Sequence, residues 1–247
     1  MIDITITATR RHKILRRTLE SFYKNLFKGY PTRIIINVDP VGEDEDSELS
    51  LRECFEFTDN VDWFYPDEPS FPKAFHRAWE AVQSPMVFHL EDDWELLREV
   101  DLHEMLQLIA TFPELAILRL SGTSAAETTI KAWNKFLDWN GDFFEVKYED
   151  KARIGFSGHP SLIRGSWIKA IHPHLDTVRN PEKQIQDAWR RRNRGLTEEI
   201  WKWRYGVFSH PGDPATIKDI GRDWIKTSGF RKEGNRAYFV KWEKINV

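Results

Sequence analysis

The stretch Met86-Val87-Phe88-His89-Leu90-Glu91-Asp92-Asp93-Trp94 decides how this chain folds. Its first part is a short apolar run of the kind that forms a buried strand. Its second part sets three carboxylates side by side at the strand's C-terminal end, where they repel one another and cost desolvation energy. A fold that carries such a cluster usually supplies a cation. Mg²⁺ or Mn²⁺ suits it, because these hard ions take oxygen ligands and often bind one or two carboxylates together with substrate phosphates. The competing reading is a solvated acidic turn, in a chain with 39 Asp and Glu.

Working outward toward the N-terminus, strands alternate with helices. Residues 2–8 alternate Ile with Asp or Thr and predict a first strand, and 12–27 carries Ile14, Leu15, Leu19, Phe22 and Leu26 at helical spacing. A β-branched run at 33–38, a short helix over 47–57, a strand at 61–65 and a helix over 72–82 follow, with Pro85 closing the connection into the acidic strand. The order βαβαβαβ implies an α/β fold with a mostly parallel sheet and helices on both faces. Ligands of such sheets bind beyond the carboxyl ends of the strands. Thr7, Ala8, Thr9 and Arg10, then Asp39, then Glu91-Asp92-Asp93 all stand at those ends and should converge on one crevice.

The second half is less regular. A helix over 102–111, a strand at 116–120 and a polar loop at 121–124 precede a strand at 143–148. Gly155, Gly158 and Pro160 predict a bent strand across 154–164. Asn180-Pro181-Glu182 is a helix start, with Asn180 as N-cap and Pro181 at the first helical position, and that helix should run to about Gly195. A short strand at 205–209 leads into His210-Pro211-Gly212-Asp213. The chain shows no internal repeat, no low-complexity stretch and no boundary, so one domain over 1–247 is expected.

Composition narrows the class. At 247 residues and 40% hydrophobic the chain can bury a full core, and its net charge of −3 excludes a globally basic nucleic-acid binder. A single cysteine, Cys54, excludes an internal disulfide and a cysteine-rich zinc site. No stretch approaches the ~18 apolar residues of a membrane span, and the N-terminus lacks the pattern of a signal peptide. A soluble, cytoplasmic protein is therefore expected. Eleven Trp and sixteen Phe serve core packing or a stacking surface.

Ile4-Thr5-Ile6-Thr7-Ala8-Thr9-Arg10, Leu15-Arg16-Arg17-Thr18-Leu19-Glu20-Ser21, Asn37-Val38-Asp39 and Phe88-His89-Leu90-Glu91-Asp92-Asp93 occur in an order and spacing that resemble the N-terminal half of family 2-like glycosyltransferases. These have the GT-A, or nucleotide-diphospho-sugar transferase, fold: a Rossmann-like mostly parallel sheet, here with an irregular acceptor-side segment at the C-terminal end. The resemblance covers about the first hundred residues, and beyond them rests on Pro181-Glu182 and His210. It implies a metal-dependent, inverting transfer of a sugar from a nucleotide-diphosphate donor to an unidentified acceptor, with 1–100 as the donor half and 101–247 as the acceptor half. The acidic motif of that family is Asp-x-Asp; this chain departs from it with Glu91 at the first position.

The resemblance also implies residue roles. Asp93, then Glu91, would hold Mn²⁺ or Mg²⁺, and His210 matches a third ligand position, against the plain alternative of a structural histidine. Asp92 would touch the donor's ribose or sugar. Thr7, Ala8, Thr9 and Arg10 would hold base and ribose, as would Asp39 unless it is only a turn residue before Pro40. The base that takes the acceptor's proton would be Glu182, with Asp187 as runner-up and a dipole-favoured first-turn acid as the bland reading of Glu182. Lys73 and His76, with Arg77, would reach the diphosphate or donor sugar, or form a solvated face.

Two basic runs remain. Trp189-Arg190-Arg191-Arg192-Asn193-Arg194 is either surface charge at a helix C-terminus or a site for donor phosphates or a polyanionic acceptor such as DNA. Lys218, Arg222, Lys226, Arg231, Lys232 and Arg236 suggest a lid over the diphosphate. Three rival functions stay open: a nucleotidyltransferase, which should show glycines after the first strand where Thr7-Ala8-Thr9-Arg10-Arg11 has none; a non-catalytic sugar- or nucleic-acid-binding module; and a glycosyltransferase acting on nucleic acid bases.

Overall fold

A computed structural model describes residues 1–42, 58–122, 134–233 and 241–244. The helix expected over 47–57, Cys54, Thr123, Ser124 and Arg236 lie outside the described residues. The chain begins with β1 (Ile2–Arg10), α1 (His12–Asn25), β2 (Thr32–Gly42), β3 (Val61–Phe64), α2 (Phe71–Glu80) and β4 (Met86–Glu91). These four strands are parallel neighbours in the order β3-β2-β1-β4, as the alternation of strand and helix predicts. The next elements are β5 (Trp94–Leu96), α3 (Leu102–Thr111), β6 (Leu115–Leu120), β7 (Leu137–Trp139), β8 (Phe144–Val146), α4 (Lys151–Ile154) and β9 (Ser161–Arg164). Then come α5 (Gly165–Ile171), α6 (Pro181–Gln186), α7 (Arg194–Lys202), β10 (Arg204–Phe208), β11 (Ile217–Asp219), α8 (Gly221–Thr227), β12 (Phe230–Glu233) and β13 (Lys241–Lys244).

The sheet continues past β4 as β9-β6-β10-β8-β7 and turns mixed. β9 lies antiparallel between β4 and β6, whereas β10 returns parallel to β6. Helices cover both faces. On one, Leu15, Leu19 and Phe22 of α1 and Met105 and Ile109 of α3 pack on Ile4, Ile6, Phe88 and Leu90. On the other, Phe75 and Trp79 of α2 and Trp167 and Ile168 of α5 pack on Val87, Ile117 and Ile163. Strand β4 thus sends alternate residues into two cores, which is why its sequence is an almost unbroken apolar run. Within that run His89 is fully buried among Phe75, Trp79 and Phe156 and held neutral by that burial, its pKa pushed down to about 4.

Two expectations in the second half are corrected. The segment 154–164 is not one bent strand: α4 ends at Ile154 and β9 begins only at Ser161. The intervening loop passes Gly158 close to Glu91, where a side chain would meet the carboxylate. The helix begun at Pro181 stops at Gln186 instead of reaching Gly195. Asp187 caps its C-terminus, Arg192 takes a left-handed φ of 55°, and Asn193 accepts the amide of Leu196 at 3.1 Å to cap a new helix, so Gly195 opens α7 rather than ending α6. Among the described residues no helix is long and apolar enough to cross a membrane.

Candidate active site

A cavity of about 210 Å³ opens beyond the carboxyl ends of β1, β2 and β4. Thr7, Ala8 and Thr9, Asp39, Glu91, Asp92, Asp93 and Glu182 all line it, so most of the expected residues do converge. Arg11 lines it as well, and Arg10 does not: Arg10 is exposed at a register shift between β1 and β2.

Arg11 is ion-paired with two of the three acids. Its Nε donates to Asp92 Oδ2 at 3.1 Å, one terminal nitrogen is ion-paired with Asp92 Oδ1, and the same nitrogen reaches Asp93 Oδ2 at 3.2 Å. Burial opposes the charge on the guanidinium, but Asp92 and Asp93 hold its pKa above the ordinary arginine value. Asp92, 2% exposed, also accepts the amide of Thr9 at 2.9 Å and the Thr9 hydroxyl at 3.3 Å. Its carboxylate is thereby committed to the protein itself. The indole of Trp224 on α8 stacks over the guanidinium at 5.0 Å, which seats the C-terminal segment on the acid loop.

Glu91 and Asp93 are placed differently. Each carboxylate lies against a glycine, Glu91 at Gly158 and Asp93 at Gly221. A Cβ on Gly158 would stand 2.6 Å from Glu91 Oε1, and one on Gly221 would overlap Asp93 Oδ2. The backbone fixes Asp93 further, since its carbonyl accepts the amide of Ile220 at 2.8 Å. Both carboxylates face the cavity, and as hard oxygen donors they form the pair with which Mg²⁺ or Mn²⁺ is commonly held when a diphosphate supplies other ligands. His210 does not stand with them. It lines a second cavity, with its ring 5.5 Å from Trp139 and its Nε2 3.8 Å from Glu104. Among the described residues no three His, Cys, Asp or Glu side chains gather as a ligand cluster.

Asp39 is buried, accepting Asn37 Nδ2 and the amide of Ser70, each at 2.9 Å. Burial pushes its carboxyl above the ordinary value against those hydrogen bonds and the charge of Arg77, with Asp92 adding to the rise. Arg77 is turned to Asn37 Oδ1 at 2.6 Å. Lys73 is exposed, and His76 packs on the ring of His172 at 4.4 Å; neither lines the cavity, which α2 meets instead with Phe71 and Ala74.

Glu182 reaches the cavity because Asn180 caps α6, accepting the amide of Lys183 at 3.3 Å, and Pro181 presets the first turn. Gln186, one turn on, donates to Glu182 Oε1 at 2.9 Å. Asp187 is at the far end of the helix, 3.8 Å from Arg190 and outside the cavity lining. The second cavity, about 310 Å³, is lined by Leu120, Leu137, Phe144, Val207 and Pro211 together with Arg119, His159, Ser209 and His210. The segment carrying Phe156, Gly158 and His159 passes Glu91 at Gly158 and lines the second cavity with His159, and Arg119, buried and lowered to about 10 by that burial, feels the opposing charge of Glu182. Arg11, Arg119 and Gln186 had escaped the sequence reading. Only Gln186 had a local signal, its i,i+4 spacing from Glu182.

The fold is that of the GT-A glycosyltransferases, an α/β fold with a Rossmann-like sheet. Two solved proteins share it across most of this chain. Residues 1–349 of S. aureus TarS superpose with a TM-score of 0.56 at 12% identity, covering 92% of this chain and 63% of that one. The same protein in complex with UDP-GlcNAc gives 0.57 at 13%, over 96% and 60%. The mannosyltransferase PcManGT from Pyrobaculum calidifontis, in complex with GDP-Man and Mn²⁺, gives 0.55 at 10%, over 88% and 56%. The chain therefore spans 56–63% of these chains and 38% of the longer TarS chain. No protein-family model and no curated protein sequence matches it.

Proposed function

We propose that this protein is a glycosyltransferase that moves a sugar, with inversion, from a nucleotide-diphosphate donor to an acceptor hydroxyl. The observation that carries the reading is the single cavity in which Glu91 and Asp93 face Glu182 beyond the carboxyl ends of the parallel strands. Residues 1–100 supply the donor side, with Thr7, Ala8, Thr9 and Asp39 at nucleoside level. Residues 101–247 supply the acceptor side, with the second cavity as its entrance and α8 as the lid.

Glu91 and Asp93 would hold Mg²⁺ or Mn²⁺, which when bound offsets negative charge on the diphosphate. Asp92 and Arg11 set the shape of that wall. Glu182 accepts the proton of the acceptor hydroxyl as its oxygen forms the new bond to the anomeric carbon. The bond from that carbon to the diphosphate oxygen breaks, and the nucleoside diphosphate leaves with the electron pair. A second reading gives the same reaction a polyanionic acceptor, such as nucleic acid. It is favoured by Trp189, 55% exposed, beside exposed Arg190, Arg192 and Arg194, and steep salt dependence of acceptor binding would support it.

A thermal-shift screen tests the class. UDP, GDP, UDP-GlcNAc and GDP-mannose are added with Mn²⁺ and then with chelator. A ligand at 100 times its Kd adds about 2.7 kcal/mol, a rise of roughly 5–10 °C for a chain of this size. The expected result is a rise for at least one compound that chelator removes; a flat response to all of them counts against the reading.

A further inference from the structure

We infer that Gln186 is a positioning residue for Glu182, clamping one oxygen of that carboxylate to the cavity wall and leaving the other to take the acceptor's proton. The inference rests on the proposed role of Glu182 and goes beyond it.

The carboxamide of Gln186 is satisfied on both ends. Its Nε2 donates to Glu182 Oε1 at 2.9 Å and to the carbonyl of Phe156 at 3.0 Å, and its Oε1 accepts Lys183 Nζ at 2.7 Å. Flipping the amide would set oxygen against two oxygens and nitrogen against an ammonium, so its orientation is fixed by its partners. The Phe156 bond anchors the amide to the segment that passes Glu91 at Gly158 and lines the second cavity with His159. Glu182 is thereby tied to that segment, although its helix is only six residues long. Gln184, the other glutamine of α6, does a different job: it accepts the amide of Asp176 at 2.9 Å and donates to the carbonyls of Asp176 and Arg179 at 2.9 and 2.8 Å, pinning the loop before the helix. One glutamine thus holds the helix and the other holds its carboxylate.

A hydrogen bond to a carboxylate favours its charged form and fixes the remaining lone pairs. Arg119 on β6 and Lys183 on α6 add positive charge around Glu182, while Glu91, Asp92, Asp93, Asp39 and Arg11 face it across the cavity. Without Gln186 the carboxylate can rotate away from the wall, and a misplaced base loses rate rather than donor affinity.

The test measures UDP or GDP release from a panel of nucleotide sugars that includes UDP-GlcNAc and GDP-mannose, with Mn²⁺ present and water as acceptor. Gln186→Leu should lower kcat by roughly 10- to 100-fold, with donor KM and Tm little changed. Gln186→Glu, which keeps the Lys183 pair but sets an acceptor against Glu182, should lose kcat as well. If Glu182→Gln abolishes release while both Gln186 variants keep wild-type kcat, the positioning role is overturned and the base stands. If Glu182→Gln releases nucleotide normally, or no nucleotide sugar of the panel is turned over by the wild type, the functional reading itself falls, and the inference with it.

Discussion

Replacing Arg11 by Met should destabilise the protein more than any change to its exposed arginines, because it strands a buried charge. Asp92 is 2% exposed and would keep only the Thr9 amide and hydroxyl, at 2.9 and 3.3 Å. Removing one partner of a buried ion pair costs about 3–5 kcal/mol, and the lost stacking on Trp224 at 5.0 Å adds to it. For a chain of this size that corresponds to a fall in Tm of roughly 6–20 °C. The double variant Arg11→Met, Asp92→Asn should recover a good part of the loss, since the carboxylate it would strand is gone. Differential scanning calorimetry of the wild type, both single variants and the double gives the coupling directly. A fall below about 2 °C for Arg11→Met, or a double variant no more stable than Arg11→Met alone, would refute the assignment of Arg11 as the internal counter-ion of the triplet.

Two further predictions concern other carboxylates. Asp3, fully buried, is pushed up by burial but held below the ordinary value by Arg33, by the amides of Ser84 and Gln83 at 2.9 and 2.7 Å, and by the Ser84 hydroxyl. Its folded pKa is depressed, so its stabilisation is present above the unfolded value of about 3.9 and is lost as pH falls through the folded pKa. Asp3→Asn should therefore have a lower Tm than wild type near neutral pH, and the gap should narrow on acidification below about pH 4; a gap independent of pH would contradict this. At the proposed metal site, Asp93→Asn should abolish the Mn²⁺-dependent part of the nucleotide-induced Tm rise, whereas His210→Ala, in the other cavity, should retain it. Loss of that rise in His210→Ala would restore His210 as a ligand.

What the sequence made legible follows from how each element is stabilised. Strands β2 and β4 send side chains into both cores because helices cover both faces, and this leaves β-branched or apolar runs that read directly from the residue order, while β1 alternates Ile with buried Asp3, Thr5 and Thr7. Strands β5, β7, β8 and β11 have three residues each, too short for a period to register, and β5–β11 and β8–β10 pair across long stretches of chain. The break after Gln186 was hidden because Gly195 looked like a helix end while Asn193 already supplied a cap for the next helix. The acids of the site were legible as types, but not the division among them. That division depends on Arg11, whose pairing with Asp92 spans 81 positions of sequence. Glu91, Asp92 and Asp93 carry three formal negative charges and Arg11 one positive charge, leaving two on this wall. The guanidinium is shared between Asp92 and Asp93, and the proposed divalent cation would offset the charge it leaves. What reads in the sequence as a single acidic motif is thus two devices: a buried ion pair that builds the loop, and a pair of glycine-seated carboxylates that the loop presents to the cavity.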